Sequence, residues 1–529
     1  MTNRSDAFGT LADWIIAGLV AIATVNAGFQ GPPWISATAL AGVAAAVWFR
    51  PSDSLVLWYV AALPFIVPQG VMAIRLSIAD LFMLPVIVRS VMAAVRGEWR
   101  LPRSTIVGVL AVLALAFAVS TLVGYENVGR LTSYALVNKD AGLLFQIAAY
   151  LALLHYAETR VDVLRLARWF VGGVSIANLS ALAVALFSTQ AGIDNIVYLV
   201  GNGRFYGWME QPTVNGGLML TAAMIELGLL RTTRNGRAYG AARWINLWLL
   251  GLGMALTLSR GSWFAVACGA AVFLFLLLLF DRDPAPLRRR TVAVAAIVWC
   301  LVPSYVLGNL LIANLRARLF LSPTERAEEI RCTAIDQCNA NPNLPMCAEV
   351  RASQAGSAAS CGEVAKRTAS RAHEVDDDAV YGPMMNARGF NDRFAILRVA
   401  WESYVSEPRT IVLGTGLGTF YVTSAREFGV PVIIHSTFEW FLVELGPLGF
   451  VTLMFVFGRT TRNLYLACRD GGDMRYVAMG TFAAFAGLAV FCVTSEGFYQ
   501  RQLWLLILIG DRLCALSSAP SAAPRLQSV

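Results

Sequence analysis

"WFAVACGAAVFLFLLLLF", Trp263–Phe280, holds neither a charge nor a proline. A helix rises 1.5 Å per residue, so a run of about 17–25 apolar residues crosses the hydrocarbon core of a bilayer. Similar runs stand at Leu11–Phe29, Trp34–Phe49, Leu55–Pro68, Leu76–Val95, Thr105–Val123, Ala141–Tyr156 and Phe170–Phe187. Others follow at Asn215–Leu230, Ile245–Leu258, Val292–Leu311, Phe438–Phe457, Val477–Val493 and Leu503–Leu516. The 529 residues are 57% hydrophobic and only 14% charged, where a soluble chain would carry about a quarter charged residues. Mean hydropathy is +0.59. The expected fold is an all-α polytopic membrane protein with about 12–14 transmembrane helices. The start, "MTNRSDAFGTLADWIIAGLV", has no small-residue cleavage site, so its first apolar run is expected to stay as a helix.

Arginine sets the orientation, because positive charge collects in short cytoplasmic loops. One set of alternate loops holds Arg50, Arg89, Arg96, Arg100, Arg103, Arg160, Arg165 and Arg168. The same set holds Arg231, Arg234, Arg237, Arg243, Arg282, Arg288–Arg290, Arg459, Arg462, Arg469 and Arg475. The opposite short loops hold only Arg75, Arg130, Lys139, Arg204, Arg260 and Arg501. The first set is expected inside, together with both termini. The net charge of +8 therefore belongs to membrane topology, and no nucleic-acid partner is expected. The domain expectation is transmembrane helices over 1–311, a large periplasmic loop over 312–434, the last three spans over 435–516 and a cytoplasmic tail over 517–529. The loop carries Cys332, Cys338, Cys347 and Cys361. Their spacing is not that of a zinc site, and in an exported loop they are expected to form two disulfides. The other five cysteines are expected to be packing residues.

Polar groups gather near span ends on the outer face. "GNGRFYGWMEQPTVNGG" supplies Arg204, "LTLSRGSWFAVACGA" supplies Arg260, and "ARGFNDRFAILRVAWESYVSEP" supplies Arg388, Arg393 and Arg398. Phe394, Leu397, Ala400 and Trp401 suggest an amphipathic helix along the membrane surface. "VIIHSTFEWFLVELGPLGF", Val432–Phe450, then places His435 at the mouth of an apolar helix with Glu439 one turn on. A single arginine here reads most simply as a headgroup contact, a lone interfacial histidine as one without chemistry, and "GTGLG" is a weak phosphate motif. Several cations brought to one face by separate segments suit an anionic lipid substrate. Arginine forks match phosphate oxygens, and cations placed in advance stabilise a departing diphosphate. Histidine, with a reference pKa near 6.5, serves as base or cation. Glu439 lies on the same helical face as His435 and is expected to orient or tune it. Glu444 lies on roughly the opposite face and is expected to pack against a neighbour. Gly446, Pro447 and Gly449 are expected to kink the helix.

These motifs resemble those of the O-antigen ligase and polymerase superfamily of bacterial envelope glycosyltransferases. His435, Glu444, Gly446 and Gly449 fall at the intervals of its His-Asn-…-Glu-x-Gly-x-x-Gly helix, with Ser436 where the family has Asn. Arg393 and Pro408 keep its interval, "GTGLGTF" stands at its Gly-x-Gly turn, and "LSRGSWF" and "RFYGWMEQPTVNGG" are similar to two further elements. The resemblance covers about Arg204 to Phe457. It implies an inner-membrane transferase, without metal or other cofactor, acting on the periplasmic face. Its donor would be a glycan on undecaprenyl diphosphate, and its acceptor a glycan or lipid A-core hydroxyl. The histidine matching His435 would be catalytic, and the arginines matching Arg204, Arg260 and Arg393 would serve the diphosphate. Glu439, which stands where the family has an apolar residue, is a catalytic candidate beside His435, and Arg388 a diphosphate candidate, from the residues alone. A polysaccharide polymerase shares this chemistry and differs in acceptor. A transporter or flippase would instead need ionisable groups facing one another near the bilayer midplane, and only Asp80 and Glu226 stand out within spans.

Overall fold

The computed structural model describes residues 15–16, 18–22, 33–65, 77–99, 104, 106–129, 132, 141–190, 200–201, 204–209, 211–232, 237–257, 259–280, 390–428, 432–470, 472–495 and 497–518. Two compact units divide the chain, one of Met1–Ile312 with Leu397–Val529 and one of Ala313–Ile396. The second is described only at Phe390–Ile396, the first turns of a helix.

In the first unit, helices α1 (Pro33–Trp48), α2 (Ser52–Ala62), α3 (Ile78–Val95), α4 (Val107–Val128), α5 (Ala141–Tyr156) and α6 (Arg160–Gln190) come first. A two-residue antiparallel ladder pairs β1 (Val200–Gly201) with β2 (Arg204–Phe205). Next are α7 (Pro212–Thr232), α8 (Arg237–Leu256) and α9 (Arg260–Phe280). After α10 (Phe390–Val405) come α11 (Pro408–Leu413), α12 (Thr419–Phe428), α13 (Thr437–Asp470), α14 (Arg475–Thr494) and α15 (Arg501–Ser518). Among the described residues, seven helices are long and apolar enough to cross a membrane. The protein is all-α and polytopic. A helix overlaps each expected span from Trp34 to Phe280 and from Phe438 to Leu516, though the one at Leu55–Pro68 ends at Ala62 and residues 66–68 lie outside the described residues. Leu11–Phe29 is described in part, and Val292–Leu311 lies outside the described residues.

Helices α7, α9 and α14 form the centre, and glycines let their backbones touch. A Cβ on Gly480 of α14 would fall 2.4 Å from the Met224 carbonyl oxygen of α7. One on Gly487 would fall 2.7 Å from the Ala265 carbonyl oxygen of α9. Close small-residue contact of this kind holds helices together where lipid removes the hydrophobic drive.

Side-chain bonds tie together the helix ends that share a face. At one end Arg475 donates to the Phe280 carbonyl (3.3 Å), Arg512 to Ala157 (2.6 Å) and Arg160 to Leu516 (3.4 Å). The described helix ends that carry Arg160, Arg475 and Arg512 are tied in this way. Both intramembrane carboxylates noted in the sequence are paired. Glu226 accepts from Arg243 at 2.9 Å toward the arginine-rich end. Asp80, which closes a capping box with Ser77 at the start of α3, pairs with Arg501 at the opposite end. These two carboxylates do not face each other.

Of the cysteines, Cys268, Cys468, Cys492 and Cys514 are not in disulfides, with Cys468 and Cys492 buried as packing residues are. Cys300, Cys332, Cys338, Cys347 and Cys361 lie outside the described residues.

Candidate functional site

His435 rides on an extended segment, Val432–Ser436, fastened at both ends. On the near side, the Ser424 hydroxyl of α12 donates to the Val432 carbonyl and accepts from the Val432 amide, both at 2.9 Å. On the far side α13 begins. Ser436 caps it, its Oγ accepting from the Glu439 amide at 3.4 Å and its carbonyl from the Trp440 amide at 2.9 Å. Thr437 Oγ1 donates to the Ser495 carbonyl (2.9 Å) and accepts from the Gly497 amide (2.8 Å). The half-buried His435 is therefore held between α12 and the α14–α15 turn. The Ser-x-x-Glu spacing from Ser436 to Glu439 is a capping signature that sequence reading passed over.

The glycine-rich turn has another job than cradling phosphate. Its amides are already bonded: Thr415 N to the Val443 carbonyl (2.7 Å), Gly416 N to Glu444 (3.2 Å) and Leu417 N to Ser120 (3.0 Å). Asn127 Nδ2 donates to the Thr415 carbonyl (2.8 Å), and Arg409 forms a two-pronged ion pair with Glu126. The turn is a backbone clasp between α4 and α13. Gly446 breaks α13 at the contact, with φ 70° and ψ −171°, so the kink expected there is present. Glu444 sits 4% exposed beneath it. Its Oε2 accepts from Trp440 Nε1 at 2.7 Å and its Oε1 from the Phe420 amide at 3.3 Å.

Among the described residues Glu439 Oε1 is buried with no hydrogen-bond partner, so that oxygen makes no bond to His435 in this arrangement. His435 lies on the extended segment ahead of α13, so the two do not share the helical face expected from sequence. Backbones place Arg204 in β2, Arg260 at the first position of α9 and Arg393 in α10, but their side chains lie outside the described residues, as does all of Arg388. In α10, Leu397 and Trp401 are exposed while Ala400 is buried beside Tyr404, so the expected apolar stripe is two adjoining faces. Sequence reading missed the turn that leads through Gly497–Gln500 into α15. The Tyr499 ring lies 5.2 Å from that of Trp440, tilted by 48°, and the Phe498 ring lies 4.8 Å from that of Phe441. Its signal was a Gln-Arg-Gln triplet opening a span at the His435 end. Among the described residues no group of three His, Cys, Asp or Glu side chains is placed to hold a metal ion.

Residues 245–454 match the family model described as O-antigen ligase, a stretch that contains Arg260, Arg388, Arg393, His435, Glu439 and the Glu444–Gly449 kink. No curated protein matches the chain. With its membrane-spanning helices, the chain is a multi-pass membrane protein in which residues 245–454, less than half of its length, are similar to the O-antigen ligase family.

Proposed function

We propose that the chain transfers a glycan from undecaprenyl diphosphate to a sugar hydroxyl on the periplasmic face, as an O-antigen ligase acting on lipid A-core. The observation that carries the reading is the doubly fastened segment that presents His435 at the mouth of α13, within the stretch matched by the family. In the step, the acceptor oxygen bonds to the anomeric carbon while the bond from that carbon to the diphosphate oxygen breaks. The hydroxyl proton passes to His435, and the leaving diphosphate keeps the electron pair. Arg204, Arg260, Arg388 and Arg393 meet its charge, in the ground state as well as the transition state. Glu439, in the first turn of α13, supports the imidazole once it is protonated. Polymerisation of an O-antigen or exopolysaccharide uses the same donor chemistry with another acceptor.

A transfer assay with purified protein, lipid-linked glycan and acceptor tests this. General-base action is worth about 10²–10⁴ in rate. His435→Ala should lose activity by that factor while still binding the lipid-linked donor, and full activity in the variant would end the reading. Glycan profiles of a deletion strain separate the acceptors: loss of a ligase leaves polymer on its carrier above bare core, and loss of a polymerase leaves core capped with single repeats.

A further inference from the structure

The end of the bundle that carries His435 also holds buried polar side chains that the reaction above does not use. Asn215, at the first turn of α7, is 2% exposed, and Gln500, in the turn before α15, is 6% exposed. Thr257, Ser259, Ser262 and Gln502 are buried with them. Gln500 Oε1 accepts from Gln502 Nε2, but among the described residues Gln500 Nε2 and Asn215 Nδ2 are both buried without a hydrogen-bond partner. A primary amide nitrogen carries two donors, and buried donors in native proteins are almost always satisfied. Two open donors at this end of the bundle can be met by acceptor oxygens from outside the chain.

Glycines make the space these amides occupy. Gly207 has φ 62°, and a Cβ on it would fall 2.8 Å from Asn215 Nδ2. A Cβ on Gly217 would fall 3.1 Å from Gln500 Oε1, and one on Gly216 would fall 2.2 Å from Ser262 Oγ. The glycines of the Arg204–Gly217 element thus seat side chains from α7, α9 and the α14–α15 turn against one another. Gln500 is also linked to the histidine segment: its amide donates to the Gly497 carbonyl at 3.0 Å, and the Gly497 amide donates to Thr437 Oγ1 at 2.8 Å.

We propose that Asn215 and Gln500 donate hydrogen bonds to the non-bridging oxygens of the donor's diphosphate, an uncharged part of the binding site beside the arginines. The chemistry fits because phosphate oxygens only accept and these amide nitrogens only donate. The proposal rests on the reading of the donor as a lipid-linked diphosphate.

Full-length protein in nanodiscs, titrated with a polyprenyl diphosphate and with the matching polyprenol, tests both levels. Wild type should prefer the diphosphate. Gln500→Met and Asn215→Ser should each bind it about tenfold more weakly, the scale of one lost hydrogen bond to a charged group. Binding of the polyprenol should not change, nor should KM for the acceptor in the transfer assay. Gln500→Glu, which replaces a donor by a negative charge, should lose more, and it carries the test if Gln500→Met does not fold. Unchanged diphosphate affinity in these variants, or an equal loss for the polyprenol, would overturn the assignment of the amides alone. A wild-type protein that does not tell diphosphate from polyprenol would overturn the donor reading with it.

Discussion

Gly414 and Gly446 meet backbone to backbone, and each holds a conformation open only to glycine. Their φ and ψ are 81° and 171° at Gly414 and 70° and −171° at Gly446. A Cβ on Gly414 would lie 2.4 Å from the Glu444 carbonyl oxygen, and one on Gly446 would lie 2.7 Å from the Gly414 nitrogen. This contact joins the turn after α11 to the kink of α13, so it fixes the direction of the two helical turns that follow His435.

Alanine at either position should therefore be strained and crowded together. The expected loss of stability is about 3 kcal/mol or more, from backbone strain and overpacking. Gly97 supplies the control, since it has φ 71° but nothing within 4 Å of an added Cβ. Gly97→Ala should lose only about 1 kcal/mol. Thermal unfolding of the three variants in one detergent checks this, and equal losses at all three would show that the contact contributes nothing.

Glu444 should act as a scaffold rather than a reactant. Its two oxygens serve two donors, Trp440 Nε1 and the Phe420 amide. Gln at this position keeps one acceptor and turns an NH₂ toward the other donor, at a cost of about 1–3 kcal/mol. Glu444→Gln should lower the unfolding temperature and reduce activity with it. His435→Ala should reduce activity with the unfolding temperature unchanged. A Glu444→Gln enzyme of wild-type stability and no activity would place the carboxylate in the chemistry instead.

The spans were legible in sequence because a backbone in lipid must satisfy its own hydrogen bonds, and long apolar runs can do so only as helices. The kink at Gly446 and Pro447 was legible because both residues disrupt a helix by local geometry. Glu444 was placed in a packing role, but its partner Phe420 belongs to another helix and only the fold supplies it. The pairing of Asp80 with Arg501 spans most of the chain, and no local pattern announces it. In α10 the apolar residues were identified correctly but assigned to one face. Successive residues turn by 100°, so Ala400 and Trp401 look in different directions. The glycine turn has the composition of a phosphate loop, and what excludes that role for Thr415, Gly416 and Leu417 is the carbonyl oxygens already facing their amides.

The Asp80–Arg501 pair should be strongly coupled. Asp80 is 3% exposed at its side chain and Arg501 18%, and removing one partner of such a pair leaves the other without its counter-charge. Asp80→Asn or Arg501→Gln alone should cost about 3 kcal/mol. The double variant Asp80→Asn with Arg501→Gln should recover part of that, giving a coupling energy of about 1 kcal/mol or more. Additive losses in the double-mutant cycle would show that the two charges are independent.

The orientation of the bundle can be read with two single cysteines. Glu98 follows α3 at the arginine-rich end and is exposed. Arg426 is exposed near the end of α12, on the side from which the chain runs into the His435 segment. Positive charge collects on the cytoplasmic side, so Arg426→Cys should react with a membrane-impermeant maleimide on intact spheroplasts. Glu98→Cys should react only after the membrane is opened, in a background whose native thiols are replaced. The order matters for function, because a glycan exported on its lipid carrier meets its acceptor outside the cytoplasm. Labelling of Glu98→Cys alone on intact cells would put His435 on the cytoplasmic face, and the proposed transfer to a periplasmic hydroxyl would fall with it.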